Sequence, residues 1–310
     1  MYRILQIDGG GIKGITPAIV CARIEKEIGL PIYEIFDLIT GTSTGSVIGG
    51  ALAFGMSAEK LEDFYLNEVV ELFRKPRSKF NPANWFRAKY DRKKFQDLLY
   101  SQLHSQKMNN AKTNYMAATF NLCSQRTHFI KSWDKSDANH FVVDVISWSA
   151  LSALYYFDKI NVPEYQWVNN LPDGLNEQKV GAVFQDGGQG INNCTLGFDL
   201  VECLAKDSRD VFILSLGTGE PDLSESYKKM SKARVVRQII DFISQARNES
   251  IPNQVRAANY VNASRNDYEI CRLNSLLTKK QDGLDKVKYI NKYKENGFEL
   301  ANQVPFDKLR

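Results

Sequence analysis

The chain has 310 residues, 43% hydrophobic and 25% charged, with a formal net charge of +4. That balance can bury a sizeable core and excludes wholesale disorder, while 20 glycines and 9 prolines exclude collagen-like and mucin-like classes. Five scattered cysteines (Cys21, Cys123, Cys194, Cys203, Cys271) with no C-x-x-C pair read as a reduced, cytosolic chain without a zinc site. In chain order, Tyr2–Ile7 is a strand pattern ending at Asp8 and three glycines. Thr16–Ile28 has helical spacing, and Ile35–Thr40 is a second strand pattern stopping at Gly41-Thr42-Ser43-Thr44-Gly45. Ser46–Phe54 is small and apolar on all sides, which predicts a buried helix. Ser57 caps an amphipathic helix with Leu61, Phe64, Tyr65, Val69, Leu72 and Phe73 on one face. Further strands are expected at Tyr115–Phe120, Thr127–Ser132, Val180–Gln185 and Val211–Leu216, and a helix at Val235–Ala246. Strands alternating with helices predict an α/β fold, a mainly parallel sheet covered on both faces. With no repeat, linker or composition break, residues 1–310 read as one domain, core motifs in 1–220 and the remainder completing it. The longest nearly apolar run, Val47–Met56, is far short of the roughly 20 residues that span a bilayer, and Asp8 interrupts any signal-peptide core.

Three glycine-rich corners follow strands, where open α/β sheets carry their sites. They are Asp8–Gly14, Gly41–Gly45 and Asp186-Gly187-Gly188. The second matches G-x-S-x-G, in which a serine on a strained strand-to-helix turn presents its hydroxyl, and the flanking glycines let backbone approach closely. Such a serine needs a base and an oxyanion hole. The histidines are His104, His128 and His140, so no histidine follows Asp186 and the order Ser43, Asp186, histidine cannot be completed. That leaves open only a triad with an acid between Ser43 and His140; in the sequence pattern His128 falls within a strand and His104 at a polar helix end. Asp186 can then take the proton directly if its site is dehydrated; a plain turn is the other reading of Asp-Gly-Gly. The first corner can offer several N–H groups to one point. Gly9, Gly11 and Gly14 also satisfy the dinucleotide pattern G-x-G-x-x-G, which requires an acid at the end of the second strand. There the chain has Gly41-Thr42-Ser43, and Asp8 would set negative charge beside a pyrophosphate.

Taken in order, the three corners resemble the patatin-like phospholipase family, with its D-G-G-G-x-[KR]-G, G-x-S-x-G and D-G-[GA] motifs. Ile213–Gly219, Tyr90-Asp91 with the helix to Leu99, and Gly283–Ala301 extend the similarity over nearly the whole chain. The resemblance implies a three-layer α/β/α patatin-like fold and a dyad, Ser43 as nucleophile and Asp186 as general base. It implies an oxyanion hole from Gly9, Gly10 and Gly11, with Lys13 orienting that loop and Gly14, Gly41, Gly45, Gly187 and Gly188 supporting the motifs. The implied reaction is metal- and cofactor-free hydrolysis of phospholipid acyl esters through an acyl-enzyme. An acyl hydrolase of other esters or thioesters would keep both residues; a non-catalytic lipid- or nucleotide-binding protein would be marked by losing one. Two departures from the family pattern are Leu154, where proline is frequent, and Asn193-Cys194, where Asn-Pro is common.

Arg74–Lys94 holds nine Lys or Arg against Asp91 alone, so the rest of the chain is net acidic. Phe80, Trp85, Phe86 and Tyr90 interleave the cations, and no nucleic-acid motif accompanies them. The expectation is a surface excursion in which Trp85, Arg87, Lys89, Arg92, Lys93 and Lys94 dock a cytoplasmic protein on an anionic phospholipid membrane. The alternative is a solvated loop with its aromatics turned inward.

Overall fold

The computed structural model of the chain describes residues 1–78, 80, 87–165, 181–189, 210–221 and 267–310. Ten strands occur among them: β1 (Tyr2–Ile7), β2 (Leu38–Thr42), β3 (Asn114–Asn121), β4 (Arg126–Lys131), β5 (Ile160–Val162), β6 (Ala182–Asp186), β7 (Asp210–Leu216), β8 (Glu220–Pro221), β9 (Asp267–Leu273) and β10 (Leu276–Leu277). The main sheet runs β5-β6-β3-β2-β1-β7-β9, with β4 on the other edge of β3, and β8 pairs with β10 separately. Pairing is parallel from β3 through β2, β1 and β7 to β9, and antiparallel where β4, β6 and β5 join. The sheet is therefore mixed, its parallel part running through five strands as expected, with antiparallel strands added at one end. The chain reverses after β3 because Asn121 Oδ1 accepts the Cys123 N–H and Gln125 adopts φ 55°, which closes a hairpin.

The described α-helices are α1 (Ile15–Ile28), α2 (Ile32–Ile35), α3 (Thr44–Ala53), α4 (Ala58–Phe64), α5 (Val70–Arg74), α6 (Arg92–Leu103), α7 (Val142–Ala150) and α8 (Ile290–Ala301). The second strand starts three residues later than expected. Pro31 opens a single helical turn instead, and the Glu25 carboxylate accepts the N–H groups of Ile32 and Ala58, holding that corner. The amphipathic segment after Ser57 is helical without a break from Ala58 to Arg74, as expected, with a π-turn at Tyr65–Val69 inserted between α4 and α5. Such an insertion re-aims side chains and is frequent near functional sites. α3 is buried along its whole length, as its composition predicts. α8 lies against α1, where the Thr16 hydroxyl donates to Tyr293 O at 2.9 Å.

Alternation along the strands divides the core. Leu5, Ile7, Ile39, Phe212 and Leu214 face the helices, while Tyr2, Ile4, Leu38, Val211 and Ile213 form a second cluster on the opposite face. The expected helix at Val235–Ala246 lies outside the described residues.

Candidate active site

β3 brings two of the glycine corners together. β2 runs parallel to β3 and ends with Thr42 opposite Ala118. β6 comes from the other direction along the same edge and ends with Asp186 opposite Thr119. The two strands therefore meet head to head, and Ser43 and Asp186 are the residues at the junction. Only glycine fits just beyond it: a Cβ on Gly187 would lie 2.3 Å from Ala118 O and 3.1 Å from Thr42 Cγ2. The elbow has the same requirement, since a Cβ on Gly41 would come 2.1 Å from Gly45 O, and one on Gly45 2.1 Å from Ile7 O. Ser43 caps α3 at φ 54°, ψ −124°, outside the basins an L-residue favours. Surroundings hold it there. Its N–H donates to Ser149 Oγ at 3.0 Å, Ser149 Oγ donates to Ala118 O at 2.6 Å, and Ser46 Oγ donates to Ser43 O at 2.7 Å. The next residue, Thr44, is fixed through its hydroxyl and carbonyl by the buried Tyr65 hydroxyl from the π-turn.

Asp186 is 7% exposed. Burial pushes its carboxyl from 3.8 up to about 7, with the Ser43 side chain and the Gly188 N–H pulling the other way. Oδ1 accepts the Gly188 N–H at 2.8 Å, whereas Oδ2 is buried and has, among the described residues, no donor in hydrogen-bond geometry. The Ser43 hydroxyl is thus a close neighbour, near enough to favour the carboxylate but looser than a formed hydrogen bond. Contacts of this kind in unliganded sites often tighten only with substrate. The histidines have other surroundings: His128 meets Ser124 Oγ at 3.1 Å, and His140 packs edge-on against Trp148.

The first corner leaves β1 beside the elbow, because Ile7 pairs with both Gly41 and Leu216. Among the described residues, the N–H groups of Gly9, Gly10 and Gly11 make no backbone hydrogen bond, while the loop around them is pinned throughout. Thr218 Oγ1 donates to Gly9 O at 2.6 Å, and Ile12 N–H donates to Leu284 O at 2.8 Å. Lys13, a residue 5% exposed, pairs through its ammonium with Asp282 at 2.7 Å. Asp8 receives both Arg272 nitrogens, at 3.1 and 2.5 Å, so its charge is compensated, a partner the sequence reading did not supply. Gly14 is buried beneath the same loop, with Tyr65 and Thr44 beside it.

An apolar cavity opens on this constellation. Gly11 and Ser43 stand on its wall with Phe64, Phe73, Phe95 and Phe157, which makes one end reactive and the remainder suited to hydrocarbon.

The basic segment divides into two groups. Lys89 pairs with Asp285, which also accepts the Tyr90 hydroxyl at 2.8 Å, and Arg92 donates to the carbonyls of Asp158 and Lys159. Tyr90 is buried among Phe73, Phe95 and Phe157. The expected docking set is therefore reduced, since Lys89 and Arg92 have intramolecular partners. Arg87, Lys93, Lys94 and Phe80 are exposed, and Trp85, with Phe86, lies outside the described residues. No described helix is long and apolar enough to cross a membrane.

The model of the family described as patatin-like phospholipase matches residues 5–198, which takes in all three glycine corners. The chain belongs to the patatin-like phospholipase family. Membership carries the three-layer α/β/α class, of which the mixed sheet and its packed helices are the described part. The chain is 28% identical over 262 residues to patatin-like protein 2 of Arabidopsis thaliana, covering 73% of this chain and 62% of that protein. It is 31% identical over 147 residues to a cGAMP-activated phospholipase of Vibrio cholerae, covering 42% of this chain and 41% of that one. Among solved structures, VipD from Legionella pneumophila aligns with TM-score 0.46 and 13% identity over 97% of this chain and 66% of that chain. The patatin-like chain thus spans less than two thirds of these relatives' length.

Ser149, Tyr65, Thr218, Arg272 and Asp282 were not singled out from the sequence as site residues. Ser149 sits in the serine- and alanine-rich segment around Ser152–Ala153, which carried a signal. The other four act through partners far away in sequence.

Proposed function

We propose that the chain is a lipid acyl hydrolase that cleaves phospholipid acyl esters through Ser43 and Asp186. The observation that carries this reading is the head-to-head junction: a serine at positive φ, beside a buried carboxyl with pKa about 7, on the wall of an apolar cavity. Ser43 Oγ attacks the ester carbonyl as Asp186 takes its proton. The carbonyl oxygen, now anionic, is held by N–H groups of the Gly9–Gly11 loop, which Lys13 and Asp282 keep in position. Collapse breaks the ester C–O bond, and Asp186 returns the proton to the departing alcohol. Asp186 then takes a proton from water, which attacks the acyl-enzyme; collapse releases the fatty acid and returns the proton to Ser43 Oγ. A carboxyl tuned near 7 suits both proton transfers better than one at its ordinary value.

No metal is required by these steps, so a chelator should leave turnover unchanged. We read residues 1–310 as one domain, supported by α8 lying on α1 and by the 272–285 segment holding the glycine loop. The protein acts in the cytoplasm, on an anionic membrane surface. A hydrolysis panel of phospholipids, neutral lipids and acyl thioesters tests the reading, with Ser43→Ala as the blank. Phospholipid turnover lost in both Ser43→Ala and Asp186→Asn supports it. Turnover confined to thioesters, or retained in Asp186→Asn, overturns it.

A further inference from the structure

The loop after α7 faces two ways. Leu151, Ala153, Tyr156 and Phe157 line the apolar cavity, whereas Leu154 and Tyr155 between them are 68% and 61% exposed. Scattered apolar residues on a surface need no explanation, but two large ones side by side, on the outside of a substrate cavity's own wall, form a patch with a direction. The tip is fastened in place. Lys89 N–H donates to Tyr155 O at 3.0 Å and Tyr90 N–H to Tyr156 O at 2.9 Å. The N–H groups of Tyr156 and Phe157 both return to Ala153 O, and Arg92 holds Asp158 O at 2.8 Å.

Positive charge predominates around the tip. Residues 87–94 and 151–159 together carry six Lys or Arg against two Asp. Lys89 and Arg92 fasten the loop, which leaves Arg87, Lys93, Lys94 and Lys159 exposed around it. An aliphatic side chain next to a tyrosine, rimmed by cations, has the chemistry of the bilayer boundary: hydrocarbon inside, an aromatic at headgroup level, anions outside.

We propose that Leu154 and Tyr155 form the apolar anchor by which this chain seats itself on an anionic lipid bilayer, with the cavity mouth turned to the membrane. This rests on the acyl-hydrolase reading of the cavity. Leu154 enters the acyl layer, Tyr155 stays at the headgroups, and Arg87, Lys93, Lys94 and Lys159 meet lipid phosphates. An acyl chain then passes from the bilayer into the cavity along the inner side of the same loop, without crossing water. A lipid surface fits the tip because it supplies both the anions and the hydrocarbon that this tip complements.

The test compares the parent, Leu154→Asp and Leu154→Phe in three assays. These are cosedimentation with phosphatidylglycerol–phosphatidylcholine vesicles and with pure phosphatidylcholine vesicles, hydrolysis of the mixed vesicles, and hydrolysis of a short soluble ester. Leu154 does not line the cavity, and its exposure lets either variant fold. The expected result is that Leu154→Asp loses roughly ten-fold in binding and hydrolysis of anionic vesicles. Soluble-ester turnover should stay at the parent level, and Leu154→Phe should restore both vesicle readouts. Parent-like vesicle binding by Leu154→Asp overturns the anchor. So does an equal loss on the soluble ester, which would mark a structural role, or a parent that ignores anionic vesicles, which would leave the tip to a protein partner. A parent that binds vesicles but hydrolyses neither substrate contradicts the hydrolase reading while the binding assay still decides the anchor.

Discussion

Ser43 and Asp186 each sit in an unfavourable state that their neighbours maintain. For Ser43 the cost is backbone strain of order 1–3 kcal/mol, countered by the Ser149, Ser46 and Tyr65 contacts. For Asp186 it is desolvation, which raises the carboxyl from 3.8 to about 7. A folded-state pKa above the unfolded one means that the native state binds the extra proton between those two values, so stability is lost as pH rises through that window. At about 1.4 kcal/mol per unit, the full shift corresponds to roughly 4 kcal/mol at pH 8. Asp186→Asn removes the titration and keeps the shape. It should therefore be inactive yet more stable than the parent in urea unfolding at pH 8, with the difference shrinking toward pH 4. Equal stability at pH 8 would mean that the carboxyl is not strained by burial. Activity should follow the opposite course: kcat/KM on a soluble ester rises as pH increases through about 7, because the base must be unprotonated, and a profile flat from pH 5 to 8 would exclude Asp186 as that base.

At the scale of elements, the site depends on β6 running against β3 while β2 runs with it. Gly187→Ala tests that junction. Its Cβ meets carbonyl and side-chain atoms of both neighbouring strands, so β6 must retreat, at about 1–3 kcal/mol. The expected outcome is a lower Tm and a loss of turnover larger than the stability change explains, because Asp186 withdraws from Ser43; parent activity in a folded Gly187→Ala would mean that the junction tolerates slack. The corners were legible in the sequence because glycines at fixed offsets after apolar runs mark turns that only glycine fits. The direction of β6 was not legible, since a strand pattern carries no sign of which way it pairs. The π-turn escaped for a related reason: Leu61, Phe64, Tyr65 and Val69 keep apolar spacing whether or not one residue is inserted. The clamp on the glycine loop was hidden too, as Lys13 finds Asp282, and Asp8 finds Arg272, only after the sheet has formed.

Across the whole molecule, the positive charge of one stretch has two uses that composition could not separate. Lys89 and Arg92 fasten the 151–159 loop and the segment near Asp285, while Arg87, Lys93 and Lys94 face solvent. Neutralising Arg87, Lys93 and Lys94 together should lower activity on anionic vesicles and reduce its salt dependence, with soluble-ester turnover unchanged. Lys89→Ala should instead lower both activities, since it leaves Asp285 without its cation beside the loop that holds Ile12; identical behaviour of the two variants would contradict the division. Activation of Ser43 by Asp186, for acyl transfer in a water-poor cavity, is open to covalent trapping. The parent, Ser43→Ala and Asp186→Asn would be incubated with an alkyl fluorophosphonate from pH 5 to 9 and followed by intact-protein and peptide mass spectrometry. One adduct is expected, on the Ser43 peptide, forming with a rate that rises through pH about 7, absent in Ser43→Ala and slowed at least a hundred-fold in Asp186→Asn. An adduct on another residue, or labelling of Asp186→Asn at the parent rate, would contradict it.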